Sequence, residues 1–209
     1  MTDLLKGKIN VGLYGVMAMN LVVFYVLLQN EPLFNANWMI LVRDLGTAVP
    51  AGVGLALTGI LNAQLTSDAK ARLVFMRWNN PLPGSEAFTK YIKCDSRIDV
   101  AVLKKSYGPF PSDPRAQNAL WYRLYKSVEA EPAVVQVHRA FLFARDYTAL
   151  VFIVGIVLGL VALFQFHSTR VAIGYLLLLT LHFEMARRAA SNHGRRFVTT
   201  VLSLKSAGR

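Results

Sequence analysis

Four apolar stretches divide the chain: residues 9–28, 48–63, 149–166 and 171–183. Crossing hydrocarbon as a helix takes about 20 apolar residues, with roughly 17 as the lower limit. The first and third stretches meet that length unaided. The second reaches it by borrowing residues 38–45, the fourth by flanking arginines that snorkel. The pattern predicts an all-α integral membrane protein with four transmembrane helices, near 9–28, 46–66, 147–166 and 171–186. A small helical cytosolic domain, 68–146, separates an N-terminal hairpin, 1–67, from a C-terminal hairpin, 147–188. A basic cytosolic tail, 189–209, follows.

The middle block has its own punctuation. Asn79-Asn-Pro-Leu-Pro-Gly84 is a strong turn signal. Short helices are expected over 85–91 and over 97–107, the latter with Ile98, Val102 and Leu103 on one face. Gly108-Pro-Phe-Pro-Ser-Asp-Pro114 then breaks the chain. Asp113-Pro114 reads as a helix N-cap with proline at the first helical position. The helix it opens, 115–127, places Leu120, Trp121, Leu124 and Tyr125 together. Glu131-Pro132 opens another, with no clear stop before Phe166: about 35 residues, or roughly 50 Å of helix. In the tail, Phe197, Val198, Val201 and Leu202 keep a helical period, which Gly194 weakens. This segment is expected either on the inner leaflet or against the cytosolic block.

Charge orients the chain. Its 209 residues carry a net +11, with 54% hydrophobic. Lys6 and Lys8, thirteen lysines and arginines between Lys70 and Arg145, and six from Arg187 to Arg209 all fall on one side; only Arg43 and Arg170 do not. The positive-inside rule therefore puts both termini and the block in the cytoplasm. Anionic lipid headgroups then account for much of the basicity, and a nucleic acid or nucleotide becomes the less favoured partner.

The apolar helices carry small and polar residues with a purpose. Ala48, Gly52, Ala56, Gly59 and Ala63 form one small-residue stripe, and Gly155 and Gly159 form a GxxxG pair. Such faces let backbones approach closely in lipid, within a chain or between copies. Asn20, Asn62, His182 and Glu184 are the intramembrane polar residues. Asn20 reads first as packing glue and then as a pore-lining group. Glu184 reads first as the partner of Arg187 or Arg188, three and four residues on. Arg43-Asp44 and Arg145-Asp146 each precede an apolar stretch, where aspartate suits a helix start.

In the block, Arg77, Trp78, Trp121, Tyr122, Arg123, His138 and Arg139 form the candidate partner or ligand surface, weighed against ordinary packing. The single cysteine, Cys94, excludes an internal disulfide and reads as a bland thiol. No phosphate-binding loop, dinucleotide fingerprint, HExxH, GxSxG or metal-spaced Cys/His cluster occurs. No catalytic residue, metal or cofactor is implied.

The runs Arg77-Trp-Asn-Asn-Pro-Leu-Pro-Gly84, Asn118-Ala-Leu-Trp-Tyr-Arg-Leu-Tyr125 and His138-Arg-Ala-Phe-Leu-Phe-Ala-Arg-Asp146 resemble small bacterial inner-membrane proteins. The layout of four helices with an inner domain is similar to membrane components of anti-phage systems, including that of Kiwa. That resemblance implies a homo-oligomer with a cytosolic partner protein, and carries over no catalytic residues. The expected function is a non-enzymatic membrane sensor or effector, pore-forming in one version. The alternatives are a membrane scaffold that recruits a cytosolic protein or nucleic acid and, ranked last, a lipid-modifying enzyme using His138, Asp146, His182 and Glu184.

Overall fold

A computed structural model describes residues 62–166 and 168–208, with Met19, residues 22–24, Leu27 and Ile60. Every element among the described residues is helical. Five α-helices follow one another: α1 (Ser67–Phe75), α2 (Val100–Tyr107), α3 (Pro114–Ser127), α4 (Pro132–Gln165) and α5 (Thr169–Ser206). Two single 3₁₀ turns, Pro83–Glu86 and Tyr91–Lys93, bridge α1 and α2. Two of the helices, α4 and α5, are long and apolar enough to cross a membrane. The expected spans at 9–28 and 46–66 lie outside the described residues except for Met19, residues 22–24 and Leu27 in the first and Ile60 and residues 62–66 in the second.

The first three helices begin where the sequence supplies an acceptor. Thr66 Oγ1 accepts the Ala69 N–H at 3.2 Å and starts α1. Asp99 Oδ1 accepts from Ala101 at 2.9 Å and from Val102 at 3.1 Å, starting α2. Asp113 Oδ2 accepts from Ala116 at 2.9 Å, with Pro114 at the first position of α3, as the sequence predicts. The expected helix at 97–107 is shorter because Asp99 takes the cap. The expected helix at 85–91 is replaced by turns: Pro83 lacks an N–H, and Gly84 lies flat against α3. A β-carbon on Gly84 would sit 2.5 Å from Asn118 Oδ1 and 2.6 Å from Trp121 Cε3.

The chain divides into two compact units. One comprises Thr66–Thr148 with Ala186–Arg209; the other comprises Met1–Leu65 with Ala149–Met185. Helices α4 and α5 contribute to both. The core of the first unit gathers Phe88, Tyr91, Ile92 and Ile98 from the bridging turns, Leu103 from α2, and Leu120, Trp121 and Leu124 from α3. Val134 and Phe141 of α4 complete it with Phe197, Val198, Val201 and Leu202 of α5. The segment read as a basic tail is thus the last part of one 38-residue helix and packs into this core. Gly194 is what lets it approach: a β-carbon there would meet Phe75 Cζ at 2.7 Å and Phe141 Cε2 at 3.0 Å. The helix-weakening residue of the sequence is a close-packing residue in the structure.

In the second unit, several alanines face inward, while Gly174 is exposed. Ala149, Ala162 and Ala172 are buried with Leu150, Val154, Leu158, Tyr175 and Leu179. Phe166 packs against Tyr175 with ring centroids 5.7 Å apart, and Phe24 joins both. Leu160, Leu163, Phe164, Leu177, Leu181 and Met185 point outward. The most apolar window of α4 is 44% buried and that of α5 only 22%. A core helix of a water-soluble domain would be covered far more completely.

Candidate functional site

The site grows from the loop between α1 and the first 3₁₀ turn. Met76 ends α1 in the left-handed conformation, φ 52°, and its N–H bonds back to Arg72 O at 2.8 Å. Arg77 then turns inward. Its Nη1 pairs with Glu86 Oε1 at 3.1 Å, and its Nη2 donates to Pro81 O at 3.4 Å. The guanidinium also lies over the Phe75 ring, 5.2 Å from its centroid. Arg77, expected on a ligand surface, is the staple that closes this loop on itself.

Closing the loop pushes its tip outward. Trp78 is 82% exposed, and Asn80 adopts φ 49°, the left-handed region that asparagine tolerates. A cleft of about 320 Å³ opens beneath. Helix α1 contributes Asp68 and Arg72, the loop Trp78 through Leu82 with Ser85, and α3 Arg115 and Asn118. Among the described residues neither Arg72 nor Arg115 has an ion-pair partner. The lining is polar, with two positive charges against one negative.

Beneath this site Gln117 locks the elements together. Its side chain is buried and uses both ends. The Oε1 accepts from Phe88 N–H at 3.1 Å and from Thr89 N–H at 3.2 Å, while Nε2 donates to Ser112 O at 3.0 Å. A buried amide satisfied on both sides fixes the register of the bridging turns on α3.

The remaining expected surface residues separate. Trp121 is core, edge-on to Phe197 at 5.0 Å, and its buried Nε1 makes no hydrogen bond. His138 is half-buried and stacks on Phe197 at 4.6 Å, with Nδ1 3.3 Å from Tyr125 Oη. Burial, and then the Arg145 charge, hold its pKa below the usual histidine range. Tyr122, Arg123 and Arg139 are exposed elsewhere on α3 and α4. Of the seven, only Trp78 lines the cleft. Sequence reasoning missed Asp68, Arg72, Ser85, Arg115 and Asn118, because three segments far apart in sequence meet there.

No protein-family model, curated protein or solved structure matches this chain. Its chemistry therefore rests on its own side chains. Among the described residues no group of three or more histidines, cysteines, aspartates or glutamates could hold a metal. Cys94 is exposed, with Sγ 3.4 Å from Lys90 O.

A second polar cluster lies away from the cleft. Lys70, its side chain only 9% exposed, pairs with Asp146 at 3.2 Å, and Arg145 Nη2 reaches the same carboxylate at 2.9 Å. Asp146 was expected at a helix start; α4 instead runs through it without a break, and its charge is balanced by Lys70 and Arg145. Arg187 Nη1 donates to Val74 O at 3.4 Å, tying α5 to the end of α1. His182 and Glu184 are half-buried on α5, and each has a polar or ring contact. Asn62 is helical, with its side-chain oxygen buried and without a hydrogen bond. Ala63 is exposed, while Asn20, Ala48, Gly52, Ala56 and Gly59 lie outside the described residues.

The GxxxG pair splits in role. Gly159 is buried, with Leu176 Cδ2 3.0 Å from where its β-carbon would be. Gly155 has nothing within 4 Å and lines a groove of about 210 Å³ with Val151, Phe152, Leu176 and Phe183.

Proposed function

We propose that this chain is a non-enzymatic, homo-oligomeric sensor or effector of a bacterial inner membrane. It crosses the bilayer four times with both termini in the cytoplasm. Its first unit, Thr66–Thr148 with Ala186–Arg209, here called the polar unit for its charged surface, receives a small ligand or a partner protein and passes that event to the membrane helices. The outcome is a response to membrane disturbance, by opening a pore, in a role of the anti-phage type. One observation carries the reading: α4 and α5 each supply both the apolar windows and the core of the polar unit. Whatever reorders that core acts on helices whose outward side chains suit lipid. The open face at Gly155 supports contact between copies, because a missing side chain there lets backbones meet.

Reporter fusions test the topology. A periplasm-active enzyme fused after Lys105 should stay silent, and a cytoplasm-active one should work. The opposite result ends this reading. Purified in mild detergent, the chain should sediment as an oligomer that Gly155→Leu weakens, and liposomes holding it should leak ions in a ligand-dependent way. Salt-sensitive capture of a cytosolic protein without ion flux would favour the scaffold instead.

A further inference from the structure

We propose that the cleft between α1, the Asn79–Gly84 loop and α3 binds a nucleoside phosphate. This rests on the reading of the polar unit as a ligand receiver and names the ligand's chemical class. Two guanidinium groups from separate helices, Arg72 and Arg115, line one cavity with no ion-pair partner among the described residues. A planar guanidinium fork matches phosphate oxygens, and two of them hold a phosphate from two sides. Asp68 offsets one of the two charges, so the occupant that balances the lining is an anion.

The rest of the lining says what the anion is attached to. Trp78 stands at the rim, 82% exposed, with no ring stacked on it among the described residues. Holding a tryptophan in water forgoes its burial, whereas a base stacked on its face would recover roughly 1–3 kcal/mol. The side chains of Asn79, Asn80 and Asn118 each offer a donor and an acceptor, the pattern that reads base edges or sugar hydroxyls. A cavity near 320 Å³ falls at the small end of the range for ligand sites and suits a mononucleotide. The Arg77–Glu86 pair and the αL turn at Asn80 set the loop before any ligand arrives, which lowers the entropy cost of binding. A lipid headgroup offers the same phosphate but no ring for Trp78 to stack on. A divalent cation would find a single carboxylate beside two arginines.

The test uses the full chain in detergent, titrated with AMP, GMP, CMP and UMP while tryptophan fluorescence is followed. At least one mononucleotide should quench saturably, and inorganic phosphate should compete more weakly. Trp78→Leu, at an exposed position that leaves the fold intact, should abolish the quench. Arg72→Gln and Arg115→Gln should each weaken binding about tenfold or more, with unchanged near-ultraviolet circular dichroism. The proposal is overturned if none of the four quenches saturably, or if Trp78→Leu quenches as the parent does. It is equally overturned if phosphatidylglycerol vesicles bind through Arg72 and Arg115 and no mononucleotide displaces them. None of these results alters the reporter-fusion outcome, so loss of the ligand and loss of the membrane reading are told apart.

Discussion

Helix α5 is built in opposite ways along its length. In its last part Phe197, Val198, Val201 and Leu202 are buried while Arg195 and Arg196 face out. In its first part Ala172, Tyr175 and Leu179 are buried while Leu177, Leu178, Leu181 and Met185 face out. Helix α4 makes the same change, from buried Val134 and Phe141 to exposed Leu160, Leu163 and Phe164. The lesson is about solvent. Where water surrounds a helix, large apolar side chains collect inside because burial is the driving force. An apolar surrounding would remove that drive: leucine gains nothing there by turning inward, so Gly159, Ala162 and Ala172 share the buried face with Tyr175 and Leu179.

The largest effect expected from breaking this contrast is at Leu202. Leu202→Ala should cost about 3 kcal/mol by leaving a cavity in the hydrophobic core of the first unit, read as a lowered midpoint in thermal unfolding. Leu177→Ala, at a side chain 65% exposed, should cost almost nothing. Equal losses at the two sites would erase the distinction. Next comes Asp146→Asn, which leaves Lys70 buried without its counter-charge. Since Asp146 is 33% exposed, the loss should be about 2 kcal/mol, below the full figure for a buried pair.

A smaller effect sharpens the comparison between glycines. Gly194→Ala should destabilise by about 1 kcal/mol, since Phe75 and Phe141 must shift. Gly155→Ala, over open space within one chain, should leave the isolated chain's stability unchanged or raise it by up to about 1 kcal/mol from helix propensity, and lower only the share of oligomer. The smallest effect is at His138. Its pKa is depressed in the folded state, so the stability it contributes is full above the unfolded value, about 6.5, and falls away as pH drops towards the folded pKa. Acidification from neutral pH should lower the unfolding midpoint slightly, and His138→Phe should flatten that slope.

Local chemistry made much of this fold legible. Asp113-Pro114 and Glu131-Pro132 announce the starts of α3 and α4, and the absence of a breaker before Phe166 foretells the length of α4. What depends on distant partners was not legible. Nothing near Gly194 says that Phe75 and Phe141 wait for it, so a close contact resembled a weak helix. Arg77 and Trp78 are neighbours in a basic, aromatic run, yet Glu86 draws one inward and leaves the other in solvent. The cleft needs Arg72, Asn80 and Arg115 together, and no spacing encodes that meeting. His138 and Trp121 looked like surface chemistry because aromatic and basic residues mark binding faces and cores alike.

The position of Phe197 to Leu202 sets a timetable for synthesis. A ribosome makes α3 and the start of α4 long before the residues that cover them, so Trp121 and Phe141 wait without their lid until the last turns of α5 are made. A polypeptide released early keeps that oily hollow open, and proteases that survey unfinished products would find their signal there.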